Sequence, residues 1–141
     1  MLALLAAASM WNRRFWWEVP NLLGSTFYRY RAFRFGSGKA TLAGGALELT
    51  ITGLIGALFG IVFGHVRSRH RLMLLGTLAG LGWFYLANTV LWPRINPLVP
   101  MYLPEPSTVL SHLLFGIVLG YQVAVQPADS AANGPSDAIE L

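Results

Sequence analysis

The chain has 141 residues, of which 55% are hydrophobic and only 11% charged, with a formal net charge of +4 and no cysteine. A soluble domain of this size carries about 25% charged residues, so the composition argues against a water-soluble fold. The missing cysteine excludes disulfides, thiolate metal sites and cysteine catalysis.

The ten basic residues sit at the ends of apolar segments: Arg13 and Arg14; Arg29, Arg31, Arg34 and Lys39; Arg67, Arg69 and Arg71; and Arg94. That placement anchors helices to anionic head groups. It lacks the clustered basic face of a nucleic-acid binder, and nucleic acid is not an expected partner.

Met1–Met10 has the apolar run of a signal peptide but no basic residues ahead of it, and it is too short to span a bilayer. Arg13 and Arg14 follow closely, which disfavours export, so no cleaved leader is expected. Trp11–Phe35 interleaves nine aromatic residues with five arginines. Trp and Tyr prefer the head-group zone and arginine snorkels towards it. Residues 1–39 are therefore expected to form an interfacial N-terminal region, with one or two short helices broken near Pro20 and Gly24. An ordered segment packed on the spans fits the same residues. Gly36-x-Gly38-Lys39 is a fragment of a phosphate-binding loop without its strand, and marks a hinge.

Three stretches are long enough to cross a bilayer, which takes about 20 mostly apolar residues. Ala40–Val66 is the first, with Gly53, Gly56, Gly60 and Gly64 along it. Leu72–Trp92 is the second, with Gly76 and Gly80, closed by Pro93. Ser107–Val125 is the third, with Gly116 and Gly120. Glycine at four-residue spacing bares one helix face so that another backbone can approach. Gly56, Gly60, Gly64, Gly76, Gly80, Gly116 and Gly120 are thus the expected helix-packing positions. Between the second and third spans, five prolines in Pro93–Pro106 predict a rigid, extended segment lying across the membrane surface. Residues 126–141 turn to Ala, Ser, Asp, Gly and Pro and read as a flexible acidic tail.

The sequence therefore predicts an all-α integral membrane protein with three transmembrane helices within 40–125. Three crossings put the N-terminal region and the proline segment on one side. Arg29, Arg31, Arg34, Lys39 and Arg94 lie there, against Arg67, Arg69 and Arg71 on the other, which favours a cytoplasmic N-terminus.

Polar residues inside the spans are few. Counting ~1.5 Å per residue, Glu48 lies ~12 Å, Asn88 ~6 Å and His112 ~7.5 Å from the same side. Antiparallel connectivity gathers them in one layer below the proline segment. An intramembrane carboxyl group is a functional candidate by default, and His112 is its natural partner, either to relay a proton or to hold a polar ligand. An interhelical hydrogen-bond knot is the structural alternative. No metal or cofactor is expected. His65 and His70 sit among arginines, and His112 has no second intramembrane histidine to complete a haem site.

Pro20-Asn-Leu-Leu-Gly-Ser-Thr-Phe-Tyr28 and His112-Leu-Leu-Phe-Gly-Ile-Val-Leu-Gly120 resemble small uncharacterised multi-pass membrane proteins of bacteria. In these, a histidine followed by a Phe-Gly step and a later glycine marks the last span, as His112, Phe115, Gly116 and Gly120 do here. Glu48 stands where such proteins often carry histidine. The resemblance implies a helical bundle in the bacterial inner membrane and no particular activity.

The expected role is a non-enzymatic accessory or packing subunit of a membrane assembly, its partners being the lipid bilayer and either a copy of itself or a larger complex. The alternative is a small proton-linked carrier using Glu48 and His112.

Overall fold

The computed structural model describes residues 15–34, 36–103 and 105–125. The expectations for Met1–Met10 and for the tail 126–141 concern residues outside these. Regular structure among the described residues is entirely helical: α1 (Glu18–Tyr28) with a tighter turn after it (Arg29–Phe33), α2 (Lys39–Phe63), α3 (Arg69–Leu86), α4 (Trp92–Ile95), α5 (Leu98–Tyr102) and α6 (Glu105–Val125). A widened helical turn, Ala87–Leu91, joins α3 to α4.

Three helices are long and apolar enough to cross a membrane: Lys39–Phe63, Arg69–Ile95 and Pro106–Val125, of 25, 27 and 20 residues. At ~1.5 Å per residue they reach ~37, ~40 and ~30 Å, against a hydrocarbon core of about 30 Å.

α3 and α6 form the tightest pair. Four of the five glycines of these helices, Gly76, Gly80, Gly116 and Gly120, interlock. A Cβ on Gly76 would stand 2.7 Å from the Gly120 nitrogen and collide with the Gly116 carbonyl. One on Gly120 would stand 2.7 Å from the Met73 Cα. The two backbones are therefore in direct contact, a distance only glycine permits. At the far end of the pair, the Arg69 guanidinium lies 4.9 Å from the centre of the Tyr121 ring, a cation–π contact.

α1 and α2 form the second close pair. Gly44 faces the Pro20 carbonyl, and a Cβ there would stand 2.7 Å from the Gly24 nitrogen. Val19 through Ser25 are all buried, so α1 has no broad outward face along that stretch. One side rests on α2 and the other on the proline segment, where Leu22, Leu23, Ala87, Trp92 and Val99 make a common apolar core.

Buried polar side chains fix this cap. Asn21 donates through Nδ2 to the Gly36 carbonyl at 2.7 Å, and its Oδ1 accepts from the Thr41 hydroxyl at 2.6 Å. Thr41 Oγ1 in turn accepts the Gly38 N–H at 2.9 Å, capping the start of α2. Gly38 has no side chain with which to return the bond. Gly36 turns the chain at φ +57°, in the left-handed region that glycine enters freely. Asn96 donates to Ser25 Oγ at 2.8 Å and approaches Thr26 Oγ1 at 3.2 Å.

The proline segment corrects the expectation of an extended chain: much of it is helical. Proline is tolerated in the first turn of a helix, where its missing N–H would have no partner. Pro93 opens α4, Pro97 precedes α5 and Pro106 falls in the first turn of α6. The second long helix also continues past Pro93 to Ile95 instead of ending at Trp92. A proline ring clashes with the carbonyl four residues back, here that of Thr89. The widened turn relieves this clash, because its hydrogen bonds reach five residues, as from the Trp92 N–H to the Ala87 carbonyl. The Arg94 guanidinium donates to the Val90 carbonyl at 2.9 Å.

Candidate functional site

Glu48, Asn88 and His112 line one small cavity of about 30 Å³ where α1, α2, the α3–α4 helix, α5 and α6 meet. The rest of the wall is apolar or aromatic, including Leu23, Ile51, Trp83, Trp92 and Val99, with Thr108 as a further polar member.

Glu48 follows Thr41 and Gly44 along the buried face of α2, and the glycine crossing on α1 draws that face inward. Its side chain is 5% exposed. Its Oε1 has no hydrogen-bond partner among the described residues. A buried polar oxygen without a partner costs about 1–3 kcal/mol, so this atom marks a place where something is to be bound or exchanged.

Asn88 comes from the widened turn, with Nδ2 donating to the Phe84 carbonyl at 3.0 Å. Trp83 and Asn88 are five residues apart and line the same cavity. His112 is 5% exposed, with Nδ1 2.8 Å from the Thr108 carbonyl. A carbonyl only accepts, so Nδ1 carries the hydrogen and Nε2 of the neutral ring keeps a lone pair. The ring meets Phe84 edge-on, with centroids 5.4 Å apart.

The glycines predicted for packing divide into two groups. Gly76, Gly80, Gly116 and Gly120 lie against one another's helices. Along α2, a Cβ on Gly60 would meet nothing within 4 Å, one on Gly56 only the Leu119 side chain at 3.7 Å, and one on Gly64 only its own preceding turn.

The sequence marked Pro20 and Gly24 as a helix break, but α1 runs unbroken through both; it did not single out Gly44, Asn21, Thr41 or Asn96, which with Gly24 build the cap over the cavity. Asn-Pro at 96–97 is a turn signal, and Ala40-x3-Gly44 has small-residue spacing, but neither pattern shows what it packs against.

A second, larger hollow lies on the outer side of α1. It is an open groove of about 740 Å³ lined mainly by aromatic and apolar side chains, among them Phe15, Trp17, Tyr30, Phe33 and Tyr102. Phe15 and Trp17 stack there at 4.5 Å. Glu18 is its one acidic lining residue. No set of three His, Cys, Asp or Glu able to hold a metal ion occurs among the described residues.

Comparison with protein-family models, curated proteins and solved structures finds no match to the chain.

Proposed function

We propose that the protein is a non-enzymatic, multi-pass integral membrane protein that serves as a packing subunit of a membrane assembly, docking through α2. The observation that supports this most is the uneven use of glycine. Gly76, Gly80, Gly116 and Gly120 are taken up by backbone contact between α3 and α6, and Gly44 by α1, whereas a Cβ on Gly53 or Gly60 of α2, or on Gly82 of α3, would meet nothing within 4 Å. The most apolar stretch of α2 is only 11% buried, against 33% for α6. A bare glycine in a span weakens the helix and is useful where another backbone approaches. The five-to-three balance of basic residues favours an N-terminal side in the cytoplasm, and the resemblance to small bacterial membrane proteins suggests an inner membrane.

The test is purification of the full chain in a mild detergent followed by native mass measurement. A co-migrating copy or partner that is lost on Gly60→Leu, with the helix content and melting of the chain itself unchanged, is the expected result. A complex that survives Gly60→Leu, or a chain that never associates, overturns the reading.

The cavity at Glu48 favours a second reading, a small proton-linked carrier. Its volume admits about one or two waters, so it provides a binding step and not a path. Proton-coupled flux into vesicles that Glu48→Gln abolishes would support a carrier.

A further inference from the structure

We infer that the cavity between α2 and α6 is a small water site through which Glu48 and His112 share a single exchangeable proton. This goes beyond the packing role and does not depend on it.

Three residues that line the cavity carry an acceptor atom. Glu48 Oε1 has no partner among the described residues. His112 has committed its Nδ1 hydrogen to the Thr108 carbonyl, which leaves the Nε2 lone pair. Asn88 has committed a hydrogen of Nδ2 to the Phe84 carbonyl, and its Oδ1 can only accept. Glu48 Oε1 thus lacks a partner among the described residues, and the neutral carboxyl group brings a hydrogen of its own to donate. The space of about 30 Å³ exceeds the roughly 10–15 Å³ that one water needs and excludes larger solutes. A dehydrated metal cation calls for about six oxygen ligands, which one carboxyl group and one amide do not provide. Water fits, with two O–H groups for two acceptors and an oxygen that accepts the carboxyl proton.

Among the described residues, Glu48 and His112 are the only titratable side chains on the wall. The other described elements present apolar side chains, tryptophans, the Asn88 amide and Thr108. In transfer, the Glu48 O–H bond breaks and its proton joins the water oxygen, while the water gives one of its own protons to His112 Nε2. A carboxylate and an imidazolium result, and the water is regenerated. The reverse step restores the neutral pair. Nδ1 donates to Thr108 throughout, which holds the ring in place.

The experiment is nitrogen NMR of the full chain, labelled at histidine, in lipid nanodiscs across pH, for the native protein and Glu48→Gln. The Nε2 signal of His112 should shift in the variant, with its midpoint displaced by about tenfold in proton concentration or more, the mark of coupled sites. His65 and His70, both exposed in the turn between α2 and α3 or at its edge, should keep theirs. A His112 signal indifferent to Glu48→Gln at every pH overturns the proposal. Should the variant not fold, the native protein decides. The infrared band of the buried carboxyl group and the His112 ring signal must change at common midpoints, and unrelated midpoints overturn the shared proton.

Discussion

Gly80 rests directly on the backbone carbonyl of His112. A Cβ at position 80 would collide with that oxygen and stand 3.0 Å from the Gly116 Cα. The most extensive helix pair among the described residues and the candidate site thus share one contact. Gly80→Ala is expected to push α6 away from α3, destabilising the fold by about 1–3 kcal/mol through overpacking, and to alter the His112 ring signal as well. Denaturant-induced unfolding in detergent measures the first effect and histidine NMR the second. Native stability with an unmoved His112 signal would contradict the contact.

Gly44 and Gly53 lie on the same helix in opposite surroundings. Gly44 meets the backbone of Pro20 and Gly24, whereas Gly53 meets nothing within 4 Å. Gly44→Ala should cost about 1–3 kcal/mol by forcing α1 off α2. Gly53→Ala should leave the isolated chain as stable as before or slightly more so, by up to about 1 kcal/mol, because alanine is the better helix former. Melting curves of the two variants side by side check the contrast, and equal losses would contradict it.

Asn96 pins the start of the proline segment to α1 through Ser25. Asn96→Leu removes this donor and leaves buried acceptors unpaired, at a cost of about 1–3 kcal/mol. Hydrogen exchange at the amides of α1 should accelerate, while α3 and α6, whose mutual contact does not involve Asn96, should keep their protection. Uniform acceleration throughout the chain would mean that the cap and the α3–α6 pair unfold as one unit.

Three helices of spanning length also predict that the protein resists extraction. Alkaline carbonate and high salt should leave it in the membrane pellet, because these treatments remove proteins held by charge and not those inserted in hydrocarbon. Release into the supernatant would exclude insertion.

The amino-acid sequence alone determined the three long helices, because span length and apolar composition are local properties that need no knowledge of neighbours. It also pointed to the shared depth of Glu48, Asn88 and His112, since helical rise and antiparallel order follow from chain connectivity. The tertiary structure decided the rest. Which glycines touch a backbone is a pairwise fact: Gly76 and Gly60 look alike in the sequence, yet Gly76 faces Gly116 and Gly120 while Gly60 faces outward. The widened turn before Pro93 carries the second long helix on to Ile95, which a periodicity of 3.6 misses. For α1 the sequence offered both an interfacial helix and a segment packed on the spans, and did not decide between them for the same reason. Aromatic and basic residues describe the outer parts of that region well, but Val19–Ser25 are buried on both sides by partners distant in the chain, α2 and Asn96. Only the folded arrangement brings those partners together, and with them the cavity that leaves Glu48 Oε1 facing His112's side of the bundle without a partner of its own among the described residues.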